Sequence, residues 1–463
     1  MADFPHLCYL GVKLILVGPY FFEEIRSNNL EAPNNQSAKK RRIMRRKLLF
    51  FVSLFMVFAM ALSACQTAAP VAEEPVDEEP VAVDCKAESA LEAEGAYQVP
   101  APIQGCFNVA FVYVGPHDDG GWSQSHDVGR LWVQENVPGV HTAYVENVAE
   151  GVDSEQVTRS LARKGFDMVL TTSFGFMDAT ETVAGEFPDK DFVHVSGYKF
   201  NGTNFGNLMG AMEDIKYLAG MLAGSRAKVD GNTKVGYMAT FPIPEELRLG
   251  NAFALGLAKT CPECTMDVRF IFTWHDPTIE QEAATSLFDA GAQVVMTGAD
   301  TPAPAIAAPE GKWGITYDYI NNCTLDSCLT TMYWNWGPLY ADLVKQSMDG
   351  TFAGEAVYFD ADSGGLGLFG FMEDQELMPG VKDLPEEDLQ LIREELAKFL
   401  SGEMTRFDVF TGPITDNQGN LVLAEGESLR QVDLDCFANS EGAPCADGVG
   451  MYWWNENVTA ELP

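Results

Sequence analysis

The sequence predicts an α/β protein of two consecutive lobes, each a doubly wound parallel sheet with helices on both faces. Three observations carry this. From residue 107 onward, short β-rich runs alternate with stretches of helical period. The alternation runs through βαβαβαβ and then restarts near residue 209. Each set is about a hundred residues long, enough for one compact unit.

In the first set, FNVAFVYVG (107–115) predicts a strand, SQSHDVGRLWVQENV (123–137) a helix and VHTAYVENV (140–148) a strand. DSEQVTRSLARKG (153–165) has helical spacing, with Asp153 or Ser154 as N-cap and Gly165 as its stop. FDMVLTTS (166–173) predicts a buried strand, MDATETVAGEFP (177–188) a helix and DFVHVSGY (191–198) a strand. The second set opens with a long helix over 209–227, then a strand at 234–240 and a helix at 245–260. A strand at 266–274, a helix at 277–291 and strands at 292–298 and 312–318 complete it. Beyond these, the pattern predicts a strand at 329–337, helices at 337–350 and 384–403, and a strand and turn over 407–420. The expected lobe 1 is 105–210 with 328–352, and lobe 2 is 211–327 with 353–430. A C-terminal tail covers 431–463.

The front of the chain predicts export. Residues 44–64 hold Arg45, Arg46 and Lys47, an apolar stretch from Leu48 to Leu62 and small residues, followed by Cys65. This is the layout of a signal peptide, and the apolar stretch is shorter than the roughly 20 residues of a spanning helix. Leu62-Ser63-Ala64-Cys65 resembles the lipobox of bacterial lipoproteins, which implies lipid on Cys65 and anchoring at the outer face of the cell membrane. Met44 is then the better start, and 1–43 reads as a mis-assigned leader. Residues 65–104 read as the lipidated Cys and an acidic, Pro/Ala-rich tether.

A formal net charge of −37 excludes nucleic acid as a partner, because such a surface repels phosphate backbones. Eight cysteines fall as near neighbours: Cys85/Cys106, Cys261/Cys264, Cys323/Cys328 and Cys436/Cys445. In an exported chain this spacing predicts local disulfides. The rival arrangement joins Cys261, Cys264, Cys323 and Cys328 into a four-thiolate zinc site. The expectation is disulfides and no metal.

Open α/β sheets bind ligands beyond the carboxyl ends of their strands. The loops there carry aromatics and acids: Asp118, Asp119 and Trp122; Phe174, Phe176 and Asp178; Phe241; Trp274 and Asp276; Asp300; and Asp318. Flat faces beside acceptors suit a planar, nitrogen-bearing, neutral or cationic ligand, whereas an anion would need the Arg and Lys these loops lack. Catalysis finds little support. The chain has no GxSxG elbow, HExxH or phosphate-binding loop, and His117 and His126 have no evident carboxylate set to complete a metal site. The reading is a binding protein without a cofactor.

Five blocks in order resemble the basic membrane protein family of ABC-transporter lipoproteins: DDGGWSQSHDVG (118–129), PIPEELRLGNAFALG (242–256), TWHDPTIEQEAATSLFDAGAQVV (273–295), TGADTPA (297–303) and WNWGPLY (334–340). FTGPITDNQGN (410–420) and MYWWNENV (451–458) are similar to the family's C-terminal end. The resemblance implies the type 1 periplasmic-binding fold, two lobes on a hinge, and a monomer that delivers a purine base or nucleoside to permease subunits. It implies Trp122 as one stacking wall, Phe241 as the other, Asp178 as a polar contact and Asp318 as the carboxylate that holds the ligand. Where nucleoside binders carry Lys-Asn, this chain has Trp334-Asn335, which removes a sugar-hydroxyl donor and favours a free base. A ligand-sensing receptor of the same fold without transport, and a nucleoside hydrolase, are the alternatives.

Overall fold

The computed structural model describes residues 83–436 and 449–463. The leader, the signal peptide, Cys65 and Cys445 lie outside the described residues.

Two six-stranded sheets form the scaffold. The first has the order β13-β7-β6-β5-β3-β4 and is parallel throughout. Its strands are β3 (Phe107–Tyr113), β4 (Val140–Val145), β5 (Met168–Thr172), β6 (Asp191–Val195), β7 (Phe205–Gly210) and β13 (Ala356–Phe359). Helices α1 (Trp122–Asn136), α2 (Val152–Lys164) and α3 (Met177–Glu186) connect the first four. The second sheet runs β14-β12-β11-β10-β8-β9, with only β14 antiparallel. It contains β8 (Lys234–Ala239), β9 (Thr265–Phe270), β10 (Val294–Thr297), β11 (Trp313–Asp318), β12 (Cys328–Trp334) and β14 (Leu366–Leu368). Around it lie α4 (Met212–Val229), α5 (Pro244–Thr260), α6 (Pro277–Asp289) and the short α7 (Ala303–Ala307). Strands such as β3 and β5 are buried along nearly their whole length and mostly apolar, without the alternation of a one-faced sheet, because helices cover both faces.

Helix α4 is buried nearly all round and packs against α5 at very short range. A Cβ added at Gly256 would lie 1.8 Å from Tyr217 O, so only glycine permits this approach. Gly165 stops α2 in the left-handed conformation, as its position predicts (φ 106°). The start of α2 differs: Gly151 is the N-cap, and Asp153 lies inside the first turn, where its charge complements the helix dipole.

The chain crosses between sheets three times: from β7 to α4, from β12 to α8 (Trp336–Met348), which packs on α1, and from β13 to β14. This corrects the expected lobe boundaries. The 328–334 strand belongs to the second sheet and the 356–359 strand to the first, so the exchange occurs one element later than the sequence rhythm implies. Strand β7 (FGNLMG, Phe205–Gly210) was not expected, because two glycines and an Asn mask a buried strand, and its last two residues fall within the expected 209–227 helix. Residues 407–420 begin with a helical turn, Arg406–Val409, and only then form a two-stranded ribbon.

Both ends are more structured than expected. Within the expected tether, β1 (Leu91–Glu94) and β2 (Tyr97–Pro100) form a hairpin, and Tyr97 Oη donates to Asp153 at 2.7 Å. Residues 449–463 dock beside β9: Met266 N donates to Asn457 O, and Thr459 N donates to Met266 O. Disulfides join Cys85 to Cys106, Cys261 to Cys264 and Cys323 to Cys328. Cys436 is also disulfide-bonded.

Candidate functional site

Each sheet has a topological switch point where strand order reverses, between β3 and β5 in the first and between β8 and β10 in the second. One cavity of about 50 Å³ lies against the carboxyl ends of both. Val114, Trp122, Ser173, Phe174 and Ser196 line it from the first lobe. Glu245, Glu246, Trp274, Gly298, Asp300, Tyr317 and Asp318 line it from the second. Two of these, Ser196 (φ 78°) and Asp318 (φ 66°), hold left-handed backbone that non-glycine residues seldom adopt. Such conformations persist where surrounding structure over-determines them.

Trp122 opens α1, and its ring is held from several sides. Its Nε1–H donates to Thr172 O at 2.6 Å. His126, Trp334 and Trp336 meet it edge to face at 4.3, 5.8 and 5.8 Å between centroids. Asp119 stands behind it. Its carboxylate accepts from the backbone N–H of Gly121, Ser123 and Gln124 at 2.8, 2.9 and 2.9 Å, closing the helix start. Across the cleft, Asp300 Oδ1 accepts from Trp122 N at 3.0 Å. The lobes are in van der Waals contact here: a Cβ on Gly121 would lie 2.3 Å from the Cβ of Asp300.

The lining is acidic, and Glu246, Asp300 and Asp318 are buried. Burial, reinforced by the charge of Asp119, pushes the Asp300 carboxyl up to about 7. His275 Nδ1 lies 3.3 Å from Asp300 Oδ2, and that carboxylate holds the imidazole pKa above its usual value. Burial also raises Asp318 well above the carboxylate range, against a 2.7 Å hydrogen bond donated by Trp334 Nε1. Glu246 accepts from Tyr237 Oη at 2.7 Å and Thr240 N at 3.0 Å. Behind the lining, Lys216 is fully enclosed, with Nζ 3.5 Å from the centre of the Tyr317 ring and donating to Thr297 O at 3.1 Å. Burial lowers its pKa to about 8, partly offset by Glu246 and Asp318. Among the described residues, Asp119, His275 and Asp300 form one cluster with spacing for a cation. The hydrogen bonds that Asp119 and Asp300 already accept explain the cluster as a contact between lobes.

Of the residues singled out by sequence, Trp122, Phe174, Trp274, Asp300 and Asp318 meet in this cavity. Others do not. Phe176 is fully buried in the first lobe's core, two residues on from Phe174. Asp178 is 82 % exposed and pairs with Lys199 at 2.9 Å. Phe241 is half-buried against Trp274 (4.9 Å between centroids), so Trp274 supplies the second lobe's aromatic surface. Trp334 is a backing residue, and Asn335 is exposed, donating to Gly364 O at 3.0 Å. His126 is buried against Tyr340 Oη at 2.5 Å, and His117 pairs with Glu146 at 2.8 Å.

Sequence reasoning missed Glu245, Glu246, Ser196 and Tyr317. PEE at 244–246 reads as an ordinary helix start, where Pro and acids are favoured for local reasons. It also missed Asn322, whose Nδ2 donates to Asp300 O at 2.9 Å and Tyr317 O at 3.0 Å, tying the ends of β10 and β11 together beside the Cys323–Cys328 disulfide.

Comparison with known proteins agrees with this architecture. The Bmp family, described as ABC transporter substrate-binding proteins of the PnrA-like type, matches residues 106–398. A purine-binding protein of Brucella abortus is 33% identical over 323 residues, covering 69% of this chain and 87% of that protein. A Haloferax volcanii protein, TsgA13, assigned provisionally as an ABC transporter glucose-binding protein, is 35% identical over 259 residues, covering 56% of this chain and 65% of its own length. The solved structure of an ABC-transporter solute-binding protein from Conexibacter woesei superposes with a TM-score of 0.52 at 23% identity, covering 65% of this chain and 98% of that one. The fold is thus the two-lobed type 1 periplasmic-binding fold. The chain belongs to the Bmp family of ABC transporter substrate-binding proteins, binders of solutes and not enzymes.

Proposed function

We propose that this protein captures a purine base, or the corresponding nucleoside, between its lobes and presents it to an ABC importer permease. In this reading, lipid on Cys65 tethers it to the outer face of the membrane. Among the described residues no helix is long and apolar enough to cross a membrane. One observation carries the ligand class. The cavity at the two switch points is lined by Trp122, Phe174 and Trp274 together with four carboxyl groups, and among the described residues none of the lining is Arg or Lys. Aromatic faces favour a flat heterocycle, acids favour N–H donors, and the missing cations disfavour phosphate or carboxylate ligands. The purine-binding relative supports the same class. The small cavity volume and Trp334 in place of a lysine favour the free base over the nucleoside.

Capture requires no covalent step. A ligand touching both lobes stabilises the closed arrangement, in which Trp122 N meets Asp300, and that arrangement is what a permease would read. Calorimetry on the purified full chain tests this with adenine, guanine, hypoxanthine, xanthine, their ribonucleosides, ribose and glucose. Binding of bases with Trp122→Ala weaker by about 1–3 kcal/mol, the usual worth of one stacked base, is the expected result. Binding of glucose alone, or an unchanged affinity in Trp122→Ala, would refute the reading.

A further inference from the structure

Four carboxyl groups line the cavity, and three are committed to the protein itself. Asp300 accepts from Trp122 N, Asp318 accepts from Trp334 Nε1, and Glu246 accepts from Tyr237 Oη and Thr240 N. Glu245 is different. It occupies the first turn of α5, borders the cavity, and its carboxyl group makes no hydrogen bond or ion pair among the described residues. Glu245 is half-buried at the cavity edge, so its carboxyl group is left for a molecule held in the cavity to complete. The neighbouring lining residues Ser196 and Asp318 hold strained backbone, so the shape of the space is over-determined around it.

We propose that Glu245 selects the ligand, its carboxylic acid pairing with a heterocycle edge that presents an acceptor beside an N–H donor, such as the amidine edge of a 6-aminopurine. This rests on the purine reading above and deepens it. A carboxylic acid offers one donor and one acceptor side by side, which matches that edge with two parallel hydrogen bonds. An ionised carboxylate offers two acceptors and matches an edge with two N–H donors, such as that of a 2-amino-6-oxopurine.

The surroundings of Glu245 favour the acid form. Burial comes first, and Glu246 on the same helix, Glu213 on α4 and Asp435 near the C-terminal segment add negative charge; Arg248, one turn along α5, opposes them. The buried Lys216 of α4, Tyr237 of β8, and Tyr317 and Asp318 of β11 complete the titratable groups within its field. The balance lifts the Glu245 pKa to about 7. With the folded pKa raised, the proton is present below that value and lost as pH rises through it.

The test is isothermal calorimetry with adenine and guanine between pH 6 and 8.5 on wild type, Glu245→Gln and Glu245→Ala. Wild-type affinity for adenine is expected to fall roughly tenfold per pH unit above 7, as expected for loss of one required proton, while guanine trends the other way. Glu245→Gln, which keeps one donor and one acceptor at any pH, is expected to bind adenine with a flat profile. Glu245→Ala is expected to bind it at least about tenfold more weakly, the loss of one or two net hydrogen bonds. If wild type binds adenine and Glu245→Ala or Glu245→Gln shows the same affinity and the same pH slope, the proposal falls while the purine reading stands. If Glu245→Ala does not fold, the Gln profile decides alone: flat supports the proposal, a wild-type slope overturns it. If no heterocycle binds wild type, the proposal and the reading beneath it fall together.

Discussion

The indole Nε1–H of Trp334 donates to Asp318 Oδ1 at 2.7 Å, both groups buried, and so joins the last residue of β12 to the last residue of β11. Trp334 is also the point at which the chain leaves the second sheet for α8. Its ring stacks on Trp336 at 4.7 Å and 17°, and a Cβ at Gly210, where β7 hands over to α4, would lie 2.7 Å from it. One side chain thus touches two of the three crossings between lobes and, through Asp318, the lining of the cavity.

Trp334→Phe keeps most of the ring and deletes the donor. Asp318 Oδ1 is then buried without a partner, and urea unfolding is expected to show a loss of about 1–3 kcal/mol. Trp334→Phe in an Asp318→Ala background should lose less, because the acceptor is already gone.

Gly121 marks where the lobes meet. Its Cβ position lies 2.3 Å from Asp300 Cβ and 2.4 Å from Asp300 Cα, so Gly121→Ala cannot close as wild type does. Small-angle scattering is expected to show a larger radius of gyration, and ligand affinity is expected to fall by about tenfold or more, equivalent to 1.4 kcal/mol per decade.

Asp300 makes stability depend on pH with a definite sign. Its folded pKa of about 7 lies above its ordinary 3.8, so between those values the folded state holds a proton that the unfolded state has released. Stability from this group therefore declines as pH rises from about 4 to about 7, by about 1.4 kcal/mol per unit of pKa difference. Asp300→Asn retains an acceptor for Trp122 N and removes the titration. Its Tm at pH 8 is expected to exceed that of wild type, with the gap closing toward pH 4.

Lys216 has the opposite sign. Its folded pKa of about 8 lies below its ordinary 10.5, so the unfolded state binds more protons between those values. Its contribution to stability rises with pH across that window. Lys216→Met removes the rise while filling similar volume, and a pH series of denaturation midpoints on the two proteins reads the difference directly.

Much of this protein is legible along the chain. Helices cover both sides of the sheets, so β3 and β5 are mostly apolar on both faces, and the switch from such runs to helical period marks each element. Trp122, Phe174, Trp274, Asp300 and Asp318, read from the post-strand loops, line one cavity because parallel sheets bring the carboxyl ends of their strands to one edge. Tertiary structure decided the rest, since the remaining questions concern neighbours in space. Phe174 and Phe176 differ by two positions, yet the 3₁₀ turn aims one into the cavity and the other into the core. Glu245 is an ordinary helix-start acid until β8, β10 and β11 set it beside a cavity. The sheets exchanged 328–334 and 356–359 because a strand joins whichever edge its crossover reaches, a matter of path and packing that leaves no periodic trace in the residues themselves.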